Sequence, residues 1–256
     1  MDRRELGGEV LADLRSLSKQ GAEFVSGHLV AAGTLADDDP ESAWLHARAA
    51  RSQGGRIAVV RETVGLVAYR AGHWAEAIAE LRAARRMAGG PGQLAVIADA
   101  ERALGHPDRA IELSRAPEAA QLDPAAAAEL EIVIAGARSD LGQQDAALVA
   151  LRAAVRSTDP QAEHAFRLYY AYAALLEQTG NRAEAAHWFI RAADADVDEE
   201  SDAAEHAEAL TADATNDHAD ITGPVEAPGS VDGVPGSVGP VGVPDADADR
   251  DVEPDR

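Results

Sequence analysis

One phrase occurs four times along the chain and constrains what it can fold into. It reads GHWAEAI from Gly72, GHPDRAI from Gly105, GQQDAAL from Gly142 and GNRAEAA from Gly180, with an alanine five residues after each glycine. Seven residues before each glycine stands another small residue: Gly65, Ala98, Ala135 and Ala173. After the shared alanines (Ala77, Ala110, Ala147 and Ala185) comes a larger residue four positions on, Leu81, Leu151 or Phe189, then a small one three further on, Ala84, Ala154 or Ala192. The second copy departs, with Ser114 and Pro117 at these two places. A glycine closes a helix in the left-handed conformation and starts a tight turn. Small residues on both sides of that turn let two antiparallel helices approach closely, and the larger residue fills the groove of the neighbouring pair. The phrase predicts a helix hairpin, repeated.

The texture around the phrase agrees. Apolar residues recur at three and four, as in Trp74, Ala77, Ile78, Leu81, Ala84 and Met87, which form one helical stripe. Strand alternation is missing, so the body is predicted to be all-α. The glycines are 33, 37 and 38 residues apart, and Gly90-Pro91, Asp123-Pro124 and Asp159-Pro160 punctuate the unit ends. This resembles the tetratricopeptide repeat, a helix hairpin of about 34 residues. An earlier unit fits the same frame with Asp38 at the turn-glycine place, 34 residues before Gly72, followed by Ala43, Ala47 and Ala50.

The resemblance implies a right-handed α-solenoid of about five hairpins over 23–195, after a helical lead-in over 1–22 and before an acidic capping helix over 196–216. Residues 217–256 are expected to form a disordered acidic tail, because Pro, Gly, Asp and small residues without aromatics cannot bury enough apolar area to offset ordering. The Ala excess and the ratio of 22 Arg to one Lys point to a GC-rich genome, similar to repeat proteins of actinobacteria.

Charge divides the chain in the same way. The net charge is −22, and residues 194–256 alone hold 19 acids against 2 bases. Residues 48–115 instead hold 11 Arg against 7 acids. So acidic a chain repels phosphate backbones, which argues against nucleic acid as a partner. Zero Cys excludes disulfides, Cys-ligated metals and thiol nucleophiles. Residues 1–17 lack the apolar core of a secretory signal, and no run of 18 residues is apolar enough to span a membrane. A cytoplasmic location is expected.

No catalytic constellation stands out. The eight histidines form no HExxH, the run Gly89-Gly90-Pro91-Gly92 lacks a following GK[ST], and there is no GxSxG. No enzyme activity, metal or cofactor is expected. The resemblance implies instead that the exposed side of each first helix lines a concave groove, here offering His28, Glu62, Tyr69, Asp99, Arg102, Arg167, Tyr170 and Glu177, with Ala32, Leu66, Glu129, Ile132 and Ser139 beside them. The family's carboxylate clamp for chaperone tails needs Lys and Asn on this face of the early repeats. The chain has Glu62 and Leu66, then Ala95 and Asp99, so that clamp is absent. Tyr169, Tyr170 and Tyr172 cluster with Phe166, either with two of the tyrosines in the core of the last hairpin or with Tyr170 turned to the groove to anchor a peptide. Arg82, Arg85 and Arg86 form either a solvated face or a basic patch for an acidic segment, including the chain's own tail. The expected function is a non-catalytic adaptor that holds a peptide or helix of another protein. The alternative is a regulatory subunit whose groove is masked by its tail, with an enzyme as a remote third.

Overall fold

A computed structural model describes residues 6–221, with side chains as far as residue 212. The expected tail beyond Ile221 lies outside the described residues. Among those described, every regular element is a helix. A short α1 (Gly8–Asp13) and a 3-10 turn (Leu14–Ser16) precede five hairpins. These are α2 (Lys19–Leu35) with α3 (Pro40–Gly54), α4 (Ala58–Arg70) with α5 (Trp74–Ala88), α6 (Leu94–Ala103) with α7 (Pro107–Ser114), α8 (Pro124–Asp140) with α9 (Gln144–Ser157), and α10 (Ala165–Gln178) with α11 (Arg182–Ala195). A last helix, α12 (Ala203–Ile221), packs on α11. Each hairpin touches the next through its second helix, so the hairpins stack in a row as a tetratricopeptide-like α-solenoid.

The four repeated glycines close their helices identically. Gly72, Gly105, Gly142 and Gly180 have φ of 76°, 79°, 72° and 84°. In the first, Gly72 N–H donates to the Tyr69 carbonyl and His73 N–H donates to the Ala68 carbonyl; the same two bonds recur at the other three glycines. This paired pattern satisfies the last carbonyls of the helix and reverses the chain. The α2–α3 turn differs from expectation. Asp38 is not left-handed; Glu199 is the one non-glycine residue with positive φ among those described. Here Asp39 caps α3 instead, accepting from Ser42 N–H at 3.1 Å, with Pro40 at the first helical position.

Packing within a hairpin depends on the small residues. Ala77, Ala98, Ala110, Ala147, Ala173 and Ala185 have no exposed surface, and Ala84 and Ala135 are buried as well. At Gly65 the approach is closer still: a Cβ there would lie 2.6 Å from Leu81 Cγ and 3.1 Å from Leu81 N. Helix α4 therefore lies directly against the backbone of α5. Leu81, Leu151 and Phe189 fill the spaces between units and are buried to 2% exposure or less.

Two carboxylates are buried between hairpins and held by arginines. Glu80 of α5 accepts from Arg61 at 2.8 Å and lies 3.1 Å from Arg51. Glu101 of α6 accepts from Arg82 at 2.8 Å, with Arg109 at 3.7 Å. A buried carboxylate without such partners would be strongly destabilising, so both pairs fix how neighbouring hairpins sit.

The ends differ from the expected boundaries by a few residues. Helix α2 begins at Lys19 because Ser18 caps it, accepting from Gly21 N–H at 3.1 Å. Helix α12 continues to Ile221, past residue 216.

Replacing Gly65 by Ala should destabilise the protein by about 1–3 kcal/mol, as overpacking does. Gly27, an exposed mid-helix glycine with nothing within 4 Å of a built Cβ, should instead stabilise by about 0.5–1 kcal/mol as Ala. Urea denaturation of the two full-length variants checks both signs.

Candidate functional site

Four first helices meet at one cleft. Tyr69 of α4, Asp99 and Arg102 of α6, Glu129 and Ile132 of α8, and Arg167 of α10 all line a space of about 470 Å³. Its remaining walls include Leu94, Val96, Leu122 and Val133. Helices from four successive hairpins thus contribute to one concavity.

The irregular second copy of the phrase shapes this cleft. Helix α7 ends at Ser114 after eight residues, and Pro117 opens a 3-10 turn instead of a continued α-helix. The short α7 lets α8 pack directly on α6. The crossing is close enough that a Cβ on Gly136 would lie 2.7 Å from Arg102 Cζ. Gly136 thus gives the Arg102 guanidinium its path across α8.

The polar residues of this face are paired with one another. Tyr69 donates to Asp99, Arg102 donates to Asp140, and Arg102 also lies 3.4 Å from Asp99. Arg167 donates to Glu129 at 3.1 Å and to Glu200 at 3.3 Å, while Gln93 donates to Glu62 at 2.7 Å. Further along, Tyr170 donates to Asp202 at 2.7 Å and Glu177 lies 3.6 Å from His206. Burial, with the Asp99 hydrogen bond, raises the Tyr69 phenol far above its ordinary value. Burial and the bond to Asp202 push Tyr170 up to about 12. The bond to Asp140 holds Arg102 above its ordinary value against the opposing effect of burial. For Arg167 burial pulls down, but Glu129 and Glu200 more than offset it. Both tyrosines stay neutral donors and both arginines stay charged.

The expected groove residues are distributed as follows. Tyr69, Asp99, Arg102 and Arg167 share the cleft, and Glu62 joins it through Gln93. Tyr170 and Glu177 face α12, where the Tyr170 ring also meets Phe189 and His206 edge-on at 5.3 and 6.0 Å. Tyr169 and Tyr172 are core. His28 lies apart, its Nδ1 2.9 Å from Nδ1 of His46 on α3. Of the three arginines on α5, Arg82 is engaged by Glu101, Arg85 packs along Gly92 with its Nη1 buried, and Arg86 is exposed. Gln93 lines the cleft, and Gly136 and Asp140 position Arg102 beside it; none of the three is identified from the sequence. Their one signal was spacing: Asp140 and Arg102 are 38 residues apart, about one repeat. Among the described residues no group of three or more metal-ligating side chains converges, and no helix is long and apolar enough to cross a membrane.

No protein-family model matches the chain, and no curated protein matches it in sequence. Several solved structures are similar in shape. The MamA protein aligns with a TM-score of 0.49 at 15% identity, over 69% of this chain and 94% of that one. YrrB, described as a TPR protein with an unusual peptide-binding site, aligns at 0.44 and 19% identity over 71% and 90% of the two chains. Yeast Tom70 aligns at 0.42 and 17% identity over 75% of this chain and 47% of that one.

The His28–His46 contact predicts a pH dependence. One ring must donate and the other accept, so both cannot be protonated. Burial and then His46 lower the His28 pKa from 6.5. A lowered folded value means that the unfolded chain binds the proton better, so the contribution is full above pH 6.5 and lost as pH falls below it. Urea midpoints at pH 7.5 and 5 should show the wild type losing about 0.5–1.5 kcal/mol more than His28→Gln.

Proposed function

We propose that the chain is a non-catalytic adaptor that holds a peptide or a helix of another protein against its first-helix face. The observation that supports this is the cleft itself, shared by four first helices. Its volume suits a few side chains of a partner. Its two arginines and two acids balance, and its floor is apolar, with Leu94, Val96, Ile132 and Val133. Such a surface recognises a segment by burying apolar side chains, while the further N–H groups of Arg102 and Arg167 offer fixed hydrogen-bond donors at the rim. The paired side chains are already ordered, so little rotamer freedom is lost when a partner arrives. The residues proposed for contact are Tyr69, Asp99, Arg102 and Arg167, with Glu62 behind them; His28, Tyr170 and Glu177 extend the same face toward its ends.

Filling the cleft should abolish partner binding without unfolding the chain. Ala95 and Ala126 both line it and are only partly buried, so Ala95→Arg and Ala126→Arg place a bulky side chain there. Val149 on α9 is 68% exposed and lies elsewhere, so Val149→Arg is the control. Proteins retained from native lysate by the wild type and by Val149→Arg should fall at least tenfold with either cleft variant, each checked by circular dichroism. Equal recovery on all four forms would refute the assignment.

A further inference from the structure

At the other end of the row lies a cleft of different chemistry. The C-terminal half of α3, the α3–α4 turn and the 3-10 turn at Leu14–Ser16 enclose about 1110 Å³. Arg48, Arg51, Arg56 and Arg61 line it, together with Leu17, Leu45 and Ile57, and no acid does. Leu45 is 54% exposed. Among the described residues only Glu76 and Glu80 answer these four cations: Glu76 lies 3.7 Å from both Arg48 and Arg51, and Glu80 binds Arg51 and Arg61. Arg56 is exposed and has no partner among the described residues. The cleft therefore keeps a positive charge and an uncovered apolar edge.

The chain carries a segment of matching chemistry. Residues 243–251 read VPDADADRD, with Asp245, Asp247, Asp249 and Asp251 at every second position. In an extended chain all four carboxylates fall on one face, over about 20 Å. Val243 precedes Pro244, which biases it to the extended region. Two acids ahead of this segment are already engaged, Glu200 by Arg167 and Asp202 by Tyr170. We propose that residues 243–251 dock extended in this cleft of the same molecule, the aspartates facing Arg48, Arg51 and Arg56 and Val243 covering Leu45. The 24 residues from Ile221 to Asp245 span at most about 80 Å. The four steps from α4 to α12 are about 10 Å each and one helix length is about 28 Å, so the segment reaches. The contact would leave the concave cleft open and place the C-terminal segment along the side of the solenoid. It does not depend on the function proposed for that cleft.

The test uses the full chain and a fluorescent peptide of residues 241–254, followed by anisotropy at low salt. In one form of the protein Asp245, Asp247, Asp249 and Asp251 are all changed to Asn, so that the cleft is vacated. The peptide should bind this form at least tenfold more tightly than the wild type, whose cleft is occupied. Added to the vacated form, Arg56→Gln and Arg48→Gln, both at exposed residues, should each weaken binding about two- to fivefold. Salt at 0.5 M should remove most of it. Equal affinity for the wild type and the vacated form would overturn the proposal, as would indifference to both arginine changes. A peptide with the same residues but its four aspartates contiguous should bind less well; equal binding would overturn the alternating register. If the wild type's occlusion disappeared on dilution to nanomolar protein, the occupant would be a second copy's segment and docking within one molecule would be wrong.

Discussion

The contact between a small residue on one helix and the backbone of its hairpin partner governs this structure. Where Gly65 meets Leu81 the separation leaves no room for a methyl group, and alanines hold the equivalent places in the other hairpins. Close approach fixes the angle and register of the two helices, because neither can rotate without driving a larger side chain into the other. The left-handed glycine that follows each first helix then sets where the second begins. Each hairpin is thus defined locally, and each touches only its neighbours. Long-range order in such an array comes from repetition of one geometry, not from a shared core.

Repetition also explains the polar face. Residues one repeat apart arrive side by side on adjacent first helices. The bonded pairs Tyr69–Asp99, Arg102–Asp140, Arg167–Glu129 and Tyr170–Asp202 are separated by 30, 38, 38 and 32 residues. The exposed ones among these are worth little singly, about 0–1 kcal/mol each. Their larger effect is to orient side chains that solvent would otherwise leave in many rotamers. The row of first helices therefore presents a defined surface, and two of them come into direct contact where the repeat is least regular. Pro117 and Ser114 shorten α7 and bring α8 onto α6.

The hairpins were legible in the sequence because their cause is local: a glycine, two small residues and an apolar stripe within one window. Residues for a groove could be named because the resemblance to the tetratricopeptide repeat implies which positions face it, and four of them, Tyr69, Asp99, Arg102 and Arg167, line one space. What they bind there could not, since each partner comes from the next repeat, at a spacing that varies from unit to unit. Arg102 was visible as a groove residue, but its passage over Gly136 to Asp140 depends on the truncated α7. Arg82 illustrates the reverse. It reads as one of three free cations on α5, yet it is drawn to Glu101, whose burial follows from the docking of α6. The Asp38 turn shows a third limit: the frame fits by distance, but without glycine the chain turns through a capped α3 instead.

The two clefts differ in what remains unspent. In the concave cleft each charge has met an opposite one, so a ligand gains there chiefly by excluding water from apolar walls, an effect that salt does not weaken. At the arginine cleft four guanidinium groups share two carboxylates, so an acidic segment gains chiefly by Coulomb attraction, which salt screens over about 8 Å at physiological strength. The buried Glu80 keeps Arg51 and Arg61 fixed, while Arg48 and Arg56 remain exposed. The arginine cleft is therefore half rigid and half adaptable. That combination suits a segment recognised by the spacing of its charges more than by its shape. If both proposals hold, one molecule would hold two different kinds of chain at once, one by burial and the other by charge, and salt would weaken only the second.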